Sequence, residues 1–358
     1  MRKFYIKSTI LFLFAFFYIS SKFVPAYYYD TFNVFHWNNI RFTSAEPNKN
    51  FVKTKYILKN PKKFNAFIFG SSRVGFIPPN FLPKHFKGKE LSWYNMTCSE
   101  GIPAEQFLML KTLLKNGIDV EMALLAFDNI SMYASLEIHK AQLLRIPYQV
   151  YEENILNFYI PYLKTQVDPS IIKQINEYKH EDKESEKEVF YSYGAYPKTF
   201  DFSLEENKNK DVYDIYHFGY TQKESHKDIE AIVDLCAQNN IKLVLCTNPL
   251  YKKLFYNSAD DGYFDFLRSV AQKCEFYNFS TLNNYTMDPR YYFEWSHYRP
   301  ALALITTKYL FGTEEEREQI RQEAGDELFG AIVNSQNIDE VIKGLEKQLK
   351  DFPESPNP

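Results

Sequence analysis

Metal-binding and disulfide chemistry are poorly provided for in this chain. Its four cysteines, Cys98, Cys236, Cys246 and Cys274, include no Cys-x-x-Cys pair in 358 residues. Three of them, Cys236, Cys246 and Cys274, lie in or beside apolar segments, where cysteine is ordinarily a small buried hydrophobe. Neither a metal site nor a disulfide framework is expected. Positive charge is not in excess either. The 42 Lys and Arg against 45 Asp and Glu leave a net charge of −3, without the basic footprint of a nucleic-acid binder. No Gly-x-Gly-x-x-Gly and no Gly-Lys-Ser/Thr is present to cradle phosphates, which disfavours a nucleotide-binding domain. No cofactor is expected, and no internal repeat is found. Aromatic residues are abundant instead, with 28 Tyr and 32 Phe, read as core and groove lining.

The N-terminus carries a membrane signal. Arg2, Lys3 and Lys7 precede the apolar run from Ile10 to Ile19, the pattern of a signal anchor or a signal peptide. The strictly apolar core is short against the roughly 20 residues of a full span, and Tyr5, Ile6, Phe23 and Val24 extend it to a marginal one. No small-x-small cleavage site follows it, which favours an uncleaved, single-pass anchor over residues 1–25. The basic start places the N-terminus in the cytoplasm and the remainder outside, periplasmic or extracellular. Residues 26–60 read as a connecting stalk that packs on the domain.

From residue 61 strand and helix signals alternate. Ala66 to Phe69, Leu91 to Met96, Ala123 to Phe127, Ile241 to Cys246 and Glu275 to Phe279 are short apolar runs of the buried-strand type. Between them, Phe107, Leu110, Leu113 and Leu114 mark one helix. Ile229, Ile232, Val233 and Cys236 mark a second, Phe264 to Ala271 a third, and Pro300 opens another through Tyr309. The alternation breaks between about 131 and 224, read as an inserted region of helices and loops whose charged run Lys179 to Glu188 is a solvated loop. After residue 313 a helical tail is expected. It begins with the capping box Thr313-Glu-Glu-Glu316 and ends in disorder beyond Phe352. The fold class implied is α/β, with the main domain over residues 61–312.

Two motifs in this frame carry chemistry. The first is Phe69-Gly-Ser-Ser-Arg73 at the end of the first strand, where Gly70 permits a sharp turn and a following helical turn favours developing negative charge. The second is Glu294-Trp-Ser-His297, a carboxylate three residues before a histidine. Serine attack on an ester needs a nucleophile, a base, a group to orient the base and oxyanion donors. Ser72 is the candidate nucleophile, with Ser71 in reserve. His297 is the base, and Glu294 orients it, with Asp288 the fallback. Oxyanion and substrate candidates are the Ser72 N–H, the loop from Asn95 through Thr97 to Gly101, and Asn129. Arg73 is expected to pack or pair with a carboxylate, and remains a candidate anion contact.

The order of these blocks over roughly Asn65 to Leu310 resembles the SGNH, or GDSL-like, hydrolase superfamily. It is most similar to the membrane-anchored branch serving cell-envelope acylation, which includes the D-alanyl transfer protein of lipoteichoic acid and alginate-type O-acetylation proteins. The family serine falls on Ser72 and the late Asp-x-x-His motif on Glu294 and His297. The second and third blocks fall on Asn95 with Thr97 and, loosely, on Ala126 to Asn129. Glutamate stands in place of aspartate at 294. The resemblance implies a three-layer α/β/α, flavodoxin-like domain. It also implies a serine esterase or O-acyltransferase acting on a cell-envelope glycan or acylated polymer, with a membrane-bound O-acyltransferase as partner. The competing expectation is an inert binding or assembly module on the same scaffold.

Overall fold

A computed structural model describes residues 2–41, 43–133, 135–177, 180–194, 201–204 and 224–351. The chain begins with a long helix, α1 (Arg2–Tyr29), with Pro25 inside it. Its stretch Tyr5–Tyr29 is, among the described residues, the one helix long and apolar enough to cross a membrane, and it lies almost wholly exposed. It exceeds the marginal span expected from the apolar run alone. Helix α2 (Lys49–Lys59) follows, its N-terminus capped by the Asn48 side chain accepting from the Phe51 N–H.

The apolar runs become strands: β1 (Ala66–Gly70), β4 (Trp93–Asn95), β5 (Met122–Phe127), β6 (Lys242–Thr247) and β7 (Phe276–Asn278). A small antiparallel hairpin, β2 (His85–Phe86) with β3 (Lys89–Glu90), precedes β4. The main sheet runs β4-β1-β5-β6-β7-β8, where β8 is Ala331–Val333. The first five strands are parallel, with Ala66 beside both Trp93 and Met122, and Met122 beside Lys242. Strand β8 joins antiparallel, Tyr277 facing Ile332. Every residue of β1 and β5 is buried, as strands covered on both faces must be. The sequence order reverses on either side of β1, which opens a crevice at the strands' carboxyl ends.

Alternate side chains of the strands feed two cores. Phe67, Phe69, Leu125 and Leu245 face one core. It is completed by α2, α3 (Pro103–Lys115), α9 (His226–Gln238), α11 (Tyr263–Ala271) and α14 (Ile338–Lys350). Ile68, Leu124, Ala126 and Val244 face the other, with α12 (Pro300–Phe311) and α13 (Glu314–Ala324). Burying one such Phe or Leu contributes about 1.5–3 kcal/mol. The molecule is thus mixed α/β, with a mostly parallel central sheet flanked by helices. Helix α10 (Lys252–Asp260) lies between β6 and α11 and was not expected from the sequence.

The inserted region carries α4 (Ile130–Tyr133), α5 (Leu136–Lys140), α6 (Leu156–Leu163), α7 (Pro169–Asn176) and α8 (His180–Tyr193). Residues His180 to Glu188 of the charged run are helical rather than the expected loop, because Glu and Lys are good helix formers. Lys179 lies outside the described residues. Phe158 and Phe190 of this region pack with Val34, Ile40 and Phe51 into a third core, so residues 26–60 lie against the insertion. The tail is not helical alone, since β8 completes the sheet edge. The Thr313 capping box forms, with Thr313 Oγ1 accepting the Glu316 N–H at 3.2 Å and Glu316 Oε2 accepting the Thr313 N–H at 2.8 Å. The end expected to be disordered, beyond Phe352, lies outside the described residues.

Candidate active site

Gly70 ends β1 with φ at 152°, and any side chain there would run into Val74 and, at 2.7 Å, the Ala126 carbonyl. Only glycine fits so close an approach. The chain therefore turns at once, and Ser72 opens the short 3-10 turn Ser72–Phe76. The first N–H groups of such a turn have no acceptor within it and form a natural site for an anion.

Across the crevice, the loop before α12 closes on itself. Tyr292 bridges Tyr298, and the Phe293 N–H donates to the His297 carbonyl at 2.9 Å. This tight loop brings the Glu294 carboxylate back to the imidazole three residues on. His297 Nδ1 is hydrogen-bonded to Glu294 Oε1, while Glu294 Oε2 accepts the Ser296 N–H at 2.8 Å. His297 Nε2 lies 2.7 Å from Ser72 Oγ. A carboxylate on Nδ1 selects the tautomer with its proton there, leaving Nε2 to accept the serine O–H. The ring is held edge-on by Phe76, with centroids 5.9 Å apart. Burial pushes the Glu294 carboxyl up, but the hydrogen bond and charge of His297, with the N–H groups of Ser296 and His297, outweigh it and hold the carboxyl below its usual value. It remains an anion wherever the histidine works as a base.

The other residues singled out from the sequence divide into two groups. Asn129 follows β5 and lines the cleft. Its Oδ1 accepts from Arg73 at 3.0 Å, so the remaining polar atom of its amide is the donor Nδ2. Arg73 is buried and pairs with Asp128 at 2.7 Å. It also donates to the Ser296 carbonyl at 2.7 Å and the Ser296 Oγ at 3.0 Å. One guanidinium thus ties the end of β1 to the end of β5 and to the histidine loop, as five donors on a planar group allow.

Asn95, Thr97 and Gly101 do not reach the cleft as oxyanion donors. Asn95 Nδ2 donates to the Val74 carbonyl at 3.0 Å, and its Oδ1 accepts the Thr97 N–H at 3.0 Å. The Gly101 N–H donates to the Cys98 carbonyl at 3.1 Å. Gly101 is needed for packing, since a side chain there would meet the Gly70 carbonyl at 2.7 Å. Of that loop, Ser99 and Glu100 line the cleft instead. Ser71 Oγ is turned inward to Asp128 at 2.8 Å, and Asp288 is engaged by Arg290 at 2.6 Å, so neither substitutes for its candidate partner. A second histidine–carboxylate pair, His139 of α5 with Glu105 of α3 at 2.7 Å, is wholly buried.

The cleft measures about 370 Å³. Its remaining walls are Ile130, Trp295, Glu46 and Arg145. Arg145 pairs with Glu100 at 2.7 Å, and Glu46 with Lys49 at 2.7 Å. Sequence reading missed Glu46 and Arg145 because they come from the stalk and the insertion, where no periodicity points to a site. It also passed over Asp128, although a carboxylate directly before Asn129 at a strand end was a signal. Asp128 Oδ2 accepts from Asn248 at 2.9 Å, and Asn248 accepts from the Tyr298 hydroxyl at 2.9 Å. This chain supports the histidine loop from below.

Comparison of the sequence with protein-family models finds no match, and comparison with the curated proteins finds none.

Proposed function

We propose that this protein is a serine esterase or O-acyltransferase of the SGNH type, held at a membrane by α1. The observation that carries the reading is the hydrogen-bonded series Ser72 Oγ, His297 Nε2, His297 Nδ1 and Glu294 at the carboxyl ends of a parallel sheet. The strand order, with β1 between β4 and β5, and helices on both faces of the sheet agree with a flavodoxin-like α/β/α scaffold.

In this reading His297 Nε2 takes the Ser72 proton as Oγ attacks the acyl carbonyl. The Ser72 N–H and the Asn129 amide receive the developing oxyanion. Collapse breaks the ester bond, and the imidazolium returns its proton to the leaving oxygen, giving acyl-Ser72. An acceptor hydroxyl then loses its proton to His297 and takes the acyl group, and Ser72 is reprotonated. Water as acceptor makes an esterase; a glycan hydroxyl makes a transferase. A cleft walled by Trp295, carboxylates, an arginine and an amide suits a polyhydroxylated acceptor, with apolar stacking on the indole and hydrogen bonds to the rest.

The anchor reading rests on Tyr5–Tyr29, and the basic residues before it support an outward-facing domain. A cell-envelope polymer as substrate and a membrane-bound acyltransferase as acyl donor are the partners this arrangement fits. The test uses the detergent-solubilised full chain, p-nitrophenyl acetate as donor and a soluble oligosaccharide as acceptor. Ser72-dependent nitrophenolate release supports the reading, and acetylated oligosaccharide in the products assigns transfer. Release that is unchanged in Ser72→Ala would leave only a binding groove.

A further inference from the structure

Helix α1 is not loosely tethered to the domain. The Asp30 carboxylate accepts the N–H groups of Val34, Phe35 and His36 at 2.8, 2.9 and 2.6 Å, closing the chain into a compact turn directly after the helix. Arg41 donates to the Tyr29 carbonyl at 3.0 Å, occupying one of the carbonyls that a helix end leaves open. Tyr27 packs on Phe35 at 5.2 Å, and Phe35 stacks on Tyr159 of α6 at 5.7 Å. Phe32 meets Tyr162 of α6 edge-on at 5.9 Å, and Tyr162 in turn accepts from Asn48 at 2.7 Å. The apolar helix thus leaves the domain directly beside α6.

Helix α6 is apolar on both sides. Phe158 and Tyr162, four residues apart, point into the third core. Leu156 and Ile160, also four apart and therefore on one face, are 66% and 41% exposed, and Ile155 before them is 36% exposed. Single exposed apolar residues are ordinary, but three within six residues at the exit of an apolar helix form a patch. In water such a face is a liability. Beside a bilayer it is covered without any further partner.

We propose that the outer face of α6, formed by Ile155, Leu156 and Ile160, lies in the lipid interface next to α1. The domain is then held by a span and by a surface helix together. The inference rests on the reading of α1 as a membrane anchor. Lipid is the occupant favoured because α1, to which α6 is packed through Phe35 and Tyr159, is itself the apolar segment of spanning length. The surface has a consequence for the cleft. Glu46 and Arg145 of its wall come from the same stalk and insertion that carry α6, so seating α6 in the interface fixes how the cleft faces the membrane surface.

The four native cysteines are buried, so an introduced surface cysteine is the accessible thiol. The full chain in lipid nanodiscs, labelled with a small fluorophore at Leu156→Cys or Ile160→Cys, is challenged with nitroxide-bearing lipid and with aqueous iodide. Leu13→Cys in α1 and Lys343→Cys on the exposed side of α14 serve as references. The expected result is lipid quenching at 156 and 160 at least about twofold above that at 343, with protection from iodide, as for a helix seated among headgroups. Quenching at 13 with 156 and 160 behaving like 343 overturns this inference and leaves the anchor standing. Absence of lipid quenching at all four positions overturns both.

Discussion

Glu294 and Arg73 differ in what their loss should do, because one holds the histidine of the proposed triad and the other is enclosed. Glu294 is hydrogen-bonded to His297 Nδ1, and in the proposed mechanism it holds the useful tautomer and stabilises the imidazolium that would form as Ser72 attacks. Glu294→Gln keeps the size but favours the wrong ring proton, so kcat in an ester assay should fall about 10^3–10^4-fold with the melting temperature little changed. Arg73 is paired with Asp128 where neither reaches solvent. Arg73→Met strands that carboxylate and should cost about 3–5 kcal/mol, read as a drop in the denaturation midpoint. The double variant Arg73→Met/Asp128→Asn should recover part of this, since the stranded charge is gone. Ser72 was legible in the sequence because its motif closes an apolar run, and Glu294 and His297 because a carboxylate three residues before a histidine is a recognisable spacing. Thr97 and Gly101 were misjudged for a physical reason. An N–H group exists at every non-proline position, and only folding decides whether a neighbouring oxygen takes it.

Among the elements, α2 has a role no sequence motif announces. Its Lys53 is buried, with Nζ donating to the carbonyls of Asn95 at 3.0 Å and Thr97 at 2.7 Å, and so it holds the turn after β4. Burial, helped by the nearby charge of Lys49, pushes its amine down from 10.5 to about 7, against the opposing pull of Cys98 and Glu46. Between these values the unfolded chain binds a proton that the folded protein does not, so stability rises with pH from about 7. The cysteines act in the opposite direction. Burial raises Cys98 and Cys236 from 9.0 to about 12, so above pH 9 the folded state binds the extra protons and stability falls. Urea midpoints should therefore climb between pH 7 and 9, by at most about 1.4 kcal/mol per pH unit from this one group. Lys53→Met should flatten that climb, and an unchanged slope would show the amine to be solvated. The parallel strands were legible as apolar runs, as were α3 and α9 from the spacing of their apolar residues and α12 from Pro300. Strand β8 was not, because Ala331-Ile-Val333 is three residues long and half exposed at a sheet edge. Helix α8 was hidden by its charge, which reads equally as a solvated helix or a solvated loop.

At the scale of the whole molecule, the stalk, the insertion and the sheet converge on one cleft. Ser72 and Asn129 come from strand ends, His297 from the loop before α12, Ser99 and Glu100 from the turn after β4, and Glu46 and Arg145 from the added segments. Parallel-sheet topology explains the first group, since it gathers the carboxyl ends of β1 and β5 at one edge. The added segments explain why the cleft has a charged far wall. The proposed function requires one property of the molecule: that this fold makes Ser72, and no other serine, nucleophilic. The most direct measurement treats the full chain, in detergent or nanodiscs, with a fluorophosphonate and maps the adduct by peptide mass spectrometry. The expected result is a single adduct on Ser72, kept in Ser71→Ala and abolished in Ser72→Ala and His297→Ala, each variant folded by thermal melt. An unlabelled wild-type protein, or an adduct that survives Ser72→Ala, would contradict it.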